Sequence, residues 1–379
     1  MSKPLRQISG SILTLSLIFA LFGCTSNVPT AATSTDTTNH ITVPQQADPL
    51  LDKSAFSYQT ISSLEALAST DHIFCCSQSE AYMVLSVCSD NGKDIGPTAK
   101  TDCLALYTFE DDIVSYPIET DAYIVSAVPY NGGVVYVEHT ELADGNWAWF
   151  MVMTDGTTPT LLDTGTASYY NQTPSLFLVD GVPHYMCHTA EGYCIKKIEG
   201  QHAETVHSED GCYLLTVEAE SNGKQYCYLI KYPSEEFSRV CIRDINGATY
   251  QHLLNGKPTH FAITDRYAVC NTGIEETERH SIEAIDLSNG NAIVFAHSYG
   301  ALYCLAGSGA IGVCVDYKWQ PHAIDIENQR VFSISGPKYE TNSDPIYFKP
   351  VGENRFFVLY DTDNGYEFYT MNISLPAES

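Results

Sequence analysis

The stretch Thr259–His297 reads THFAITDRYAVCNTGIEETERHSIEAIDLSNGNAIVFAH, and it decides the fold. It contains four apolar runs of about five to eight residues that are rich in β-branched and aromatic side chains, as half-buried strands favour. Asp265-Arg266 follows the first run and Asn289-Gly290 precedes the last. Asn-Gly favours a tight hairpin because both residues tolerate positive φ. The stretch therefore predicts a four-stranded antiparallel unit, whose strands we name a, b, c and d in chain order.

The same layout recurs along the chain with a period of about 40 to 50 residues. The a–b turns lie at Ser79-Glu80, Asn131-Gly132-Gly133, Asp180-Gly181, Asn222-Gly223, Asp265-Arg266, Gly307-Ser308-Gly309 and Gly352-Glu353-Asn354. The c–d turns lie at Glu110-Asp111, Asp155-Gly156, Glu199-Gly200, Asn246-Gly247, Asn289-Gly290 and Asn328-Gln329. Two turn series that share this period, with four strands per unit, are typical of a β-propeller.

Counting the turns predicts how the ring closes. There are seven a–b turns and six c–d turns, so the last unit lacks its d strand. A spare alternating segment, Phe56–Ile61, can supply that strand and remove an exposed sheet edge. We therefore predict an all-β domain over residues 53–379: a seven-bladed β-propeller of four-stranded antiparallel blades, closed by an N-terminal strand. Six blades is the alternative if the weak fourth repeat is misread.

By repeat length, residues 56–375 resemble the broad group of seven-bladed propellers that includes WD-repeat, TolB-like and quinoprotein-like domains. No Trp-Asp dipeptide ends the c strands, no Tyr-Trp-Thr-Asp motif is present, and the Ser-x-Asp-x-Gly-x-Thr-Trp box of sialidases is absent. The resemblance therefore implies the fold, and it transfers no subfamily's functional residues.

The N-terminus reads as a targeting segment rather than as part of the fold. Basic Lys3 and Arg6 precede an apolar run, residues 8–22, that is short for a membrane span. The run ends in Leu21-Phe22-Gly23-Cys24, which resembles the lipobox of bacterial lipoproteins. That resemblance implies a signal peptide over residues 1–23, cleavage before Cys24, and acylation of its thiol with chains such as palmitate.

We accordingly expect the protein to be held at the cell membrane, on its extracytoplasmic face, by lipid on Cys24. Residues 24–52 are rich in Ser, Thr, Pro, Ala and Gln, so we expect a flexible tether between the lipid and the propeller.

Charge limits the class of partner. The chain has 46 acidic and 19 basic residues, a formal net charge of −27. Such an acidic protein repels polyanions, so we expect no nucleic acid partner. Cations, basic proteins and neutral sugars remain as partners, and we expect a monomer that needs no cofactor.

Cysteine spacing indicates no structural zinc site, because no two Cys-x-x-Cys motifs occur. Three pairs flank hairpin turns about symmetrically, and their disulfide state stays open because directly opposed strand positions rarely offer relaxed geometry. The pairs are Cys88 with Cys103, Cys187 with Cys194, and Cys304 with Cys314.

Candidate binding residues cluster in the longer connections. In propellers the b–c and d–a loops share one face, and ligands usually bind there. Aromatic rings beside carboxylates and amides suit a carbohydrate, whose C–H groups stack on the rings, or a cationic peptide. The candidates are Trp147, Tyr169, Tyr170, Asn171, Glu275, Trp319, Tyr339, Asp361 and Asp363.

Other motifs do not lead to a catalytic or metal assignment. Asp361–Gly365 begins like a calcium loop, but its Gly is fifth rather than sixth and no Glu stands twelfth, so we interpret it as a hairpin turn. His184 and His188 share one sheet face, which leaves a metal pair open. No Gly-x-Ser-x-Gly nucleophile motif is present. We predict no catalytic residue and no metal ligand.

The sequence thus favours a membrane-anchored extracytoplasmic protein that binds a carbohydrate or a protein on the b–c and d–a face. One alternative is a propeller glycoside hydrolase or lyase, and a second is a scaffold lipoprotein of an envelope assembly.

Overall fold

A computed structural model of the chain describes residues 35–36, 40–44, 48–67, 72–88, 101–120, 122–155, 158–169, 172–274, 279–297, 302, 304–336 and 344–376. These residues form strands and two short 3₁₀ helices, Lys53–Ala55 and Ser62–Leu67. Within these ranges, no helix is long and apolar enough to span a bilayer.

The strands form seven antiparallel sheets, which are the blades. In each of blades 1 to 6, four consecutive strands run outward from the centre. Blade 7 takes its outermost strand from the N-terminal side of the chain. Blade 1 contains β4 (His72–Gln78), β5 (Tyr82–Cys88), β6 (Cys103–Thr108) and β7 (Ile113–Glu119). Blade 2 contains β8 (Tyr123–Tyr130), β9 (Gly133–Glu141), β10 (Trp147–Thr154) and β11 (Thr160–Ala167). Blade 3 contains β12 (Ser175–Val179), β13 (Val182–His188), β14 (Gly192–Glu199) and β15 (His202–Asp210). Blade 4 contains β16 (Tyr213–Ser221), β17 (Gln225–Lys231), β18 (Arg239–Asp244) and β19 (Gly247–Leu253).

The remaining blades follow the same plan. Blade 5 contains β20 (Lys257–Ile263), β21 (Tyr267–Ile274), β22 (Arg279–Asp286) and β23 (Ala292–His297). Blade 6 contains β24 (Cys304–Ser308), β25 (Ile311–Val315), β26 (Pro321–Asp325) and β27 (Arg330–Ser333). Blade 7 contains β28 (Asp344–Pro350), β29 (Arg355–Thr362), β30 (Gly365–Ile373) and β3 (Phe56–Thr60).

The N-terminal strand β3 closes the ring, as the turn count predicted. It pairs antiparallel with β30, with Phe56 opposite Ile373, and the Ile61 N–H donates to the Phe368 carbonyl at 2.9 Å. At the junction between blades 7 and 1, Phe74 of β4 meets Tyr347 of β28 edge to face, with ring centroids 6.3 Å apart. The seven-bladed prediction is confirmed, and the six-bladed alternative is wrong.

The core lies between blades rather than inside one layer. The described buried apolar residues form seven clusters, one for each junction between neighbouring blades. In β29, Phe356 and Val358 pack toward blade 6, whereas Phe357 and Leu359 pack toward blade 1. Successive side chains of a strand point to opposite faces, and both faces of a blade are covered, so the b strands are apolar throughout.

Part of the segment expected to be a flexible tether is paired with the propeller. β1 (Thr35–Asp36) runs parallel to β19 at the edge of blade 4, and β2 (His40–Val43) runs parallel to β23 at the edge of blade 5. Farther on, the Leu51 N–H donates to the Ser333 carbonyl of blade 6 at 2.8 Å. The main-chain groups of an outermost strand lack partners until such a segment covers them, which favours this pairing.

Candidate functional site

The structure describes five of the predicted binding residues, and they belong to three blades. Trp147 begins β10 and Tyr169 follows β11 in blade 2, Trp319 lies in the b–c turn of blade 6, and Asp361 and Asp363 lie at the b–c hairpin of blade 7. All five stand at the end of their blades where the b–c turns lie. Predictions for Cys24, Tyr170, Asn171, Glu275 and Tyr339 fall on positions outside the described residues.

Blade 2 brings two of these residues to one end of adjacent strands. Trp147 is the register partner of Ala167, two residues before Tyr169, and of Glu141 on the other side. Tyr169 is 65% exposed, the most exposed large apolar or aromatic side chain among the described residues. Trp147 is half-buried and thus held in place. Tyr169 therefore follows the end of the strand that pairs with Trp147.

Trp147 belongs to a three-ring cluster. Tyr123 of β8 stacks on His139 of β9 with centroids 5.7 Å apart and planes 13° apart. His139 then meets Trp147 edge to face at 5.2 Å, and Tyr123 meets Trp147 at 6.1 Å. Such arrangements stabilise by about 0.5–1.5 kcal/mol per pair beyond area burial. We call Tyr123, His139, Trp147 and Tyr169 the blade-2 platform.

Acidic residues lie beside the blade-2 platform, in the turn between β9 and β10. The Leu142 N–H donates to the Asn146 carbonyl at 2.7 Å, and the Asn146 N–H donates to the Asp144 carboxylate at 3.1 Å. The Asn146 main-chain and side-chain donors hold the pKa of Asp144 below its usual value. With Glu141 and Asp144 exposed, the turn presents two negative charges next to the rings.

Trp319 has a different environment. It lies at φ 62° in a turn whose N–H groups at Lys318 and Gln320 donate to the Asp316 carboxylate at 2.8 and 2.9 Å. Its side chain packs against the apolar cluster between blades 6 and 7. Trp319 therefore contributes to the packing of that junction, with only part of the ring facing outward.

The hairpin interpretation of Asp361–Gly365 is confirmed. Thr362 and Gly365 are register partners, and the Thr362 hydroxyl donates to the Gly365 carbonyl at 2.6 Å. Asp361 and Asp363 are exposed at this tight turn. In the part of the chain that the structure describes, no group of three His, Cys, Asp or Glu side chains is placed to hold a metal ion.

The histidine pair of β13 packs as part of the blade. His184 stacks on Phe177 at 5.8 Å, its Nδ1 lies 2.9 Å from the Val182 carbonyl, and burial lowers its pKa. Burial also lowers the pKa of His188. Both rings are thus disposed to be neutral, and His184 is engaged by its own blade.

The central channel forms a cavity of about 500 Å³ on the side of the a–b turns. The ends of the innermost strands and the a–b turns line it. Lys349 of blade 7 and Glu220 of blade 4 meet in it, with Nζ and Oε1 3.9 Å apart. Since these blades lie across the ring from each other, the ion pair spans the channel.

The candidates predicted from the sequence include Trp147 and Tyr169 but not Tyr123 and His139, whose rings the structure packs with Trp147. Tyr123 and His139 are register partners, and Trp147 stands two residues from Trp149, the other partner of His139. That parity puts the three rings on one sheet face. Counting the strand register outward from the β8–β9 and β9–β10 turns could have predicted this shared face from the sequence.

No family model matches the sequence, and no curated protein matches it. A chain from a study of two prolyl endopeptidases is similar in structure, with TM-score 0.53 and 12% identity over 82% of this chain and 52% of its own length. YCF48 bound to a D1 peptide is similar with TM-score 0.50 and 11% identity over 87% of this chain and 100% of its own.

A chain of the S. cerevisiae assembly of Dbp5, Nup159, Gle1, IP6 and ADP is similar with TM-score 0.50 and 9% identity, over 87% of this chain and 99% of its own. The present chain spans about half the length of the prolyl endopeptidase chain that it matches. At such identities the likeness shows the fold alone: the chain is a seven-bladed β-propeller.

Proposed function

We propose that the protein is a lipid-anchored protein of the extracytoplasmic membrane face whose propeller binds a protein partner through the blade-2 platform. The observation that carries the binding proposal is the exposed Tyr169, two residues beyond the register partner of the half-buried Trp147, at the blade end that also holds the carboxylates of Glu141 and Asp144. Buried aromatic anchors rimmed by polar groups are the usual arrangement of protein-binding hot spots.

The chemistry favours a basic segment of the partner. A Lys or Arg side chain over a Trp or Tyr ring gains about 0.5–2 kcal/mol, and adjacent carboxylates add charge complementarity. The net charge of −27 would speed the approach of such a partner. One similar propeller, YCF48, was solved with a bound peptide, which supports a peptide segment as the ligand class.

Among the described residues, exposed carboxylates occur in the b–c turns of blades 2 and 7. Glu141 and Asp144 belong to blade 2, Asp361 and Asp363 belong to blade 7, and all four are exposed. A glycosidase needs two carboxylates about 5–10 Å apart across the scissile bond. One of the two must be a general acid with a raised pKa, whereas hydrogen bonds lower the pKa of Asp144, so we favour binding over the hydrolase or lyase alternative.

Site-specific photo-crosslinking in cells tests the binding site. A photoreactive residue at Tyr169 should capture a discrete partner, whereas the same residue at Tyr116, 49% exposed on the outer strand of blade 1, should not. Trp147→Ala should weaken capture at position 169 by about tenfold or more. Equal capture at both positions, or capture that Trp147→Ala leaves unchanged, would refute the proposed site.

Two further measurements separate the remaining parts of the proposal. Cys24→Ser should abolish labelling by radioactive palmitate and release the protein from the membrane fraction. Retention without label would contradict the lipid anchor. A glycan array probed with the Cys24→Ser chain should show no binding. A sugar signal that Trp147→Ala removes would replace the protein partner by a carbohydrate.

A further inference from the structure

Strand register distinguishes the three cysteine pairs that flank hairpin turns. Cys187 of β13 and Cys194 of β14 are direct register partners, and their sulfurs lie 3.0 Å apart. Elsewhere Cys103 is opposite Val87 rather than Cys88, and Cys314 is opposite Leu305 rather than Cys304. A shift of one residue turns side chains to opposite faces of a sheet, so only the first pair shares a face.

The distance between the Cys187 and Cys194 sulfurs is compatible with a covalent bond after a small movement. Directly opposed residues of an antiparallel pair have Cα atoms about 4.5 or 5.5 Å apart, inside the range of about 4.4–6.8 Å that disulfides use. The sulfurs must approach by about 1 Å to reach the bond length of about 2.05 Å. Side-chain rotation can supply that movement.

The surroundings of the pair favour reaction at Cys194. Both thiols belong to the apolar cluster between blades 2 and 3 and are nearly buried. Two residues after Cys194, Lys196 forms an ion pair with Asp163 at 2.5 Å. The hydrogen bond with Cys187 and the nearby Lys196 ammonium lower the pKa of the Cys194 thiol. The thiolate is the reactive form in disulfide exchange.

We propose that Cys187 and Cys194 form a disulfide across the b–c hairpin of blade 3. The oxidant is a disulfide, of a small molecule or of a thiol oxidoreductase. The Cys194 thiolate attacks one of its sulfurs and releases the other as a thiolate, which leaves a mixed disulfide on Cys194. The Cys187 thiolate then attacks the Cys194 sulfur and releases the second thiolate.

The exchange passes two electrons to the oxidant, and the two protons of the cysteines end on the two released thiols. This site does not depend on the partner or on the lipid anchor. It joins the two strands that lead into the b–c turn of blade 3, where main-chain pairing and a hydrogen bond from the Gly192 N–H to the Thr189 hydroxyl already hold the chain. Oxidation would thus fix one end of the blade beside blade 2.

Thiol mapping of the full chain tests the proposal. The protein is reduced, or incubated with glutathione disulfide, then unfolded, alkylated and analysed by peptide mass spectrometry. After oxidation we expect a cross-linked peptide that contains Cys187 and Cys194, lighter than the reduced pair by two hydrogen atoms, while Cys88, Cys304 and Cys314 are alkylated.

Variants keep the outcome unambiguous. Cys187→Ser should leave Cys194 fully alkylated, or joined to glutathione, after oxidation, and Cys194→Ala should do the same for Cys187. Cys88→Ser should leave the cross-link unchanged. Full alkylation of both cysteines in the oxidised protein, with circular dichroism showing an intact fold, would overturn the proposal, as would a cross-link between Cys304 and Cys314 instead.

Discussion

The carboxylate of Glu209 should contribute to stability in a strongly pH-dependent way. It accepts hydrogen bonds from the Tyr193 hydroxyl, at 3.0 Å, and from the Tyr232 hydroxyl, and His207 lies 3.6 Å away. These contacts, with His207 the largest, lower the pKa of Glu209 from 4.5 to about 2. Glu209 thus joins the outer strand of blade 3 to blade 4.

The magnitude follows from that shift. A lowering of this size corresponds to at most about 3 kcal/mol, at about 1.4 kcal/mol per pKa unit. The Glu209 side chain is 23% exposed, so solvent screening reduces this upper figure. We therefore expect Glu209→Gln to cost about 2 kcal/mol at pH 7.

The sign of the pH dependence is fixed, because the folded-state pKa of Glu209 lies below its unfolded value. The stabilisation is present above about pH 4.5 and is lost as the pH falls toward 2. Urea unfolding of wild type and Glu209→Gln at pH 7 and pH 3 measures this, with Tyr232→Phe as the control that removes one donor. The penalty at pH 3 should be less than half of that at pH 7. An equal penalty at both pH values would refute the role of the carboxylate charge.

Three further substitutions test the packing of the propeller. Tyr58→Ala removes a ring of β3 that meets Tyr360 and Tyr369 edge to face, and it should lower the free energy of unfolding by about 2–3 kcal/mol in urea titration. Lys349→Met breaks an ion pair whose side chains are 27% and 28% exposed, so thermal unfolding should show a loss below about 1 kcal/mol. Gly133→Ala places a Cβ 2.0 Å from the Thr154 carbonyl oxygen, and calorimetry should show a loss of about 1–3 kcal/mol. A neutral Tyr58→Ala or Gly133→Ala, or a Lys349→Met that costs as much as a core substitution, would contradict the packing described.

The turn residues made the fold predictable because their requirement is local. Asn131 and Gly132 have φ of 50° and 77°, a backbone that Asn and Gly tolerate and most other residues do not. Such positions are visible in sequence and mark strand ends, so the blade count and the closing strand followed from them. Pairing at the outer edges is not marked in this way. His40–Val43 could be added to blade 5 only because the edge of β23 lies open nearby in space.

Which aromatic rings and which thiols share a face of a sheet depends on the strand register. Placing two residues symmetrically about a turn does not determine that register. In a hairpin with a two-residue loop, directly opposed residues are separated by an even number of residues. Six residues separate Cys187 from Cys194, and nine separate Cys304 from Cys314. The second hairpin turns at Gly309-Ala310, with Ser308 opposite Ile311, so an odd separation places its cysteines on opposite faces. The sequence alone could not distinguish the two pairs, because a three-residue loop at Gly307-Ser308-Gly309 would have placed Cys304 and Cys314 on the same face of the sheet. The choice between a two-residue and a three-residue loop therefore decided which cysteines can react with each other.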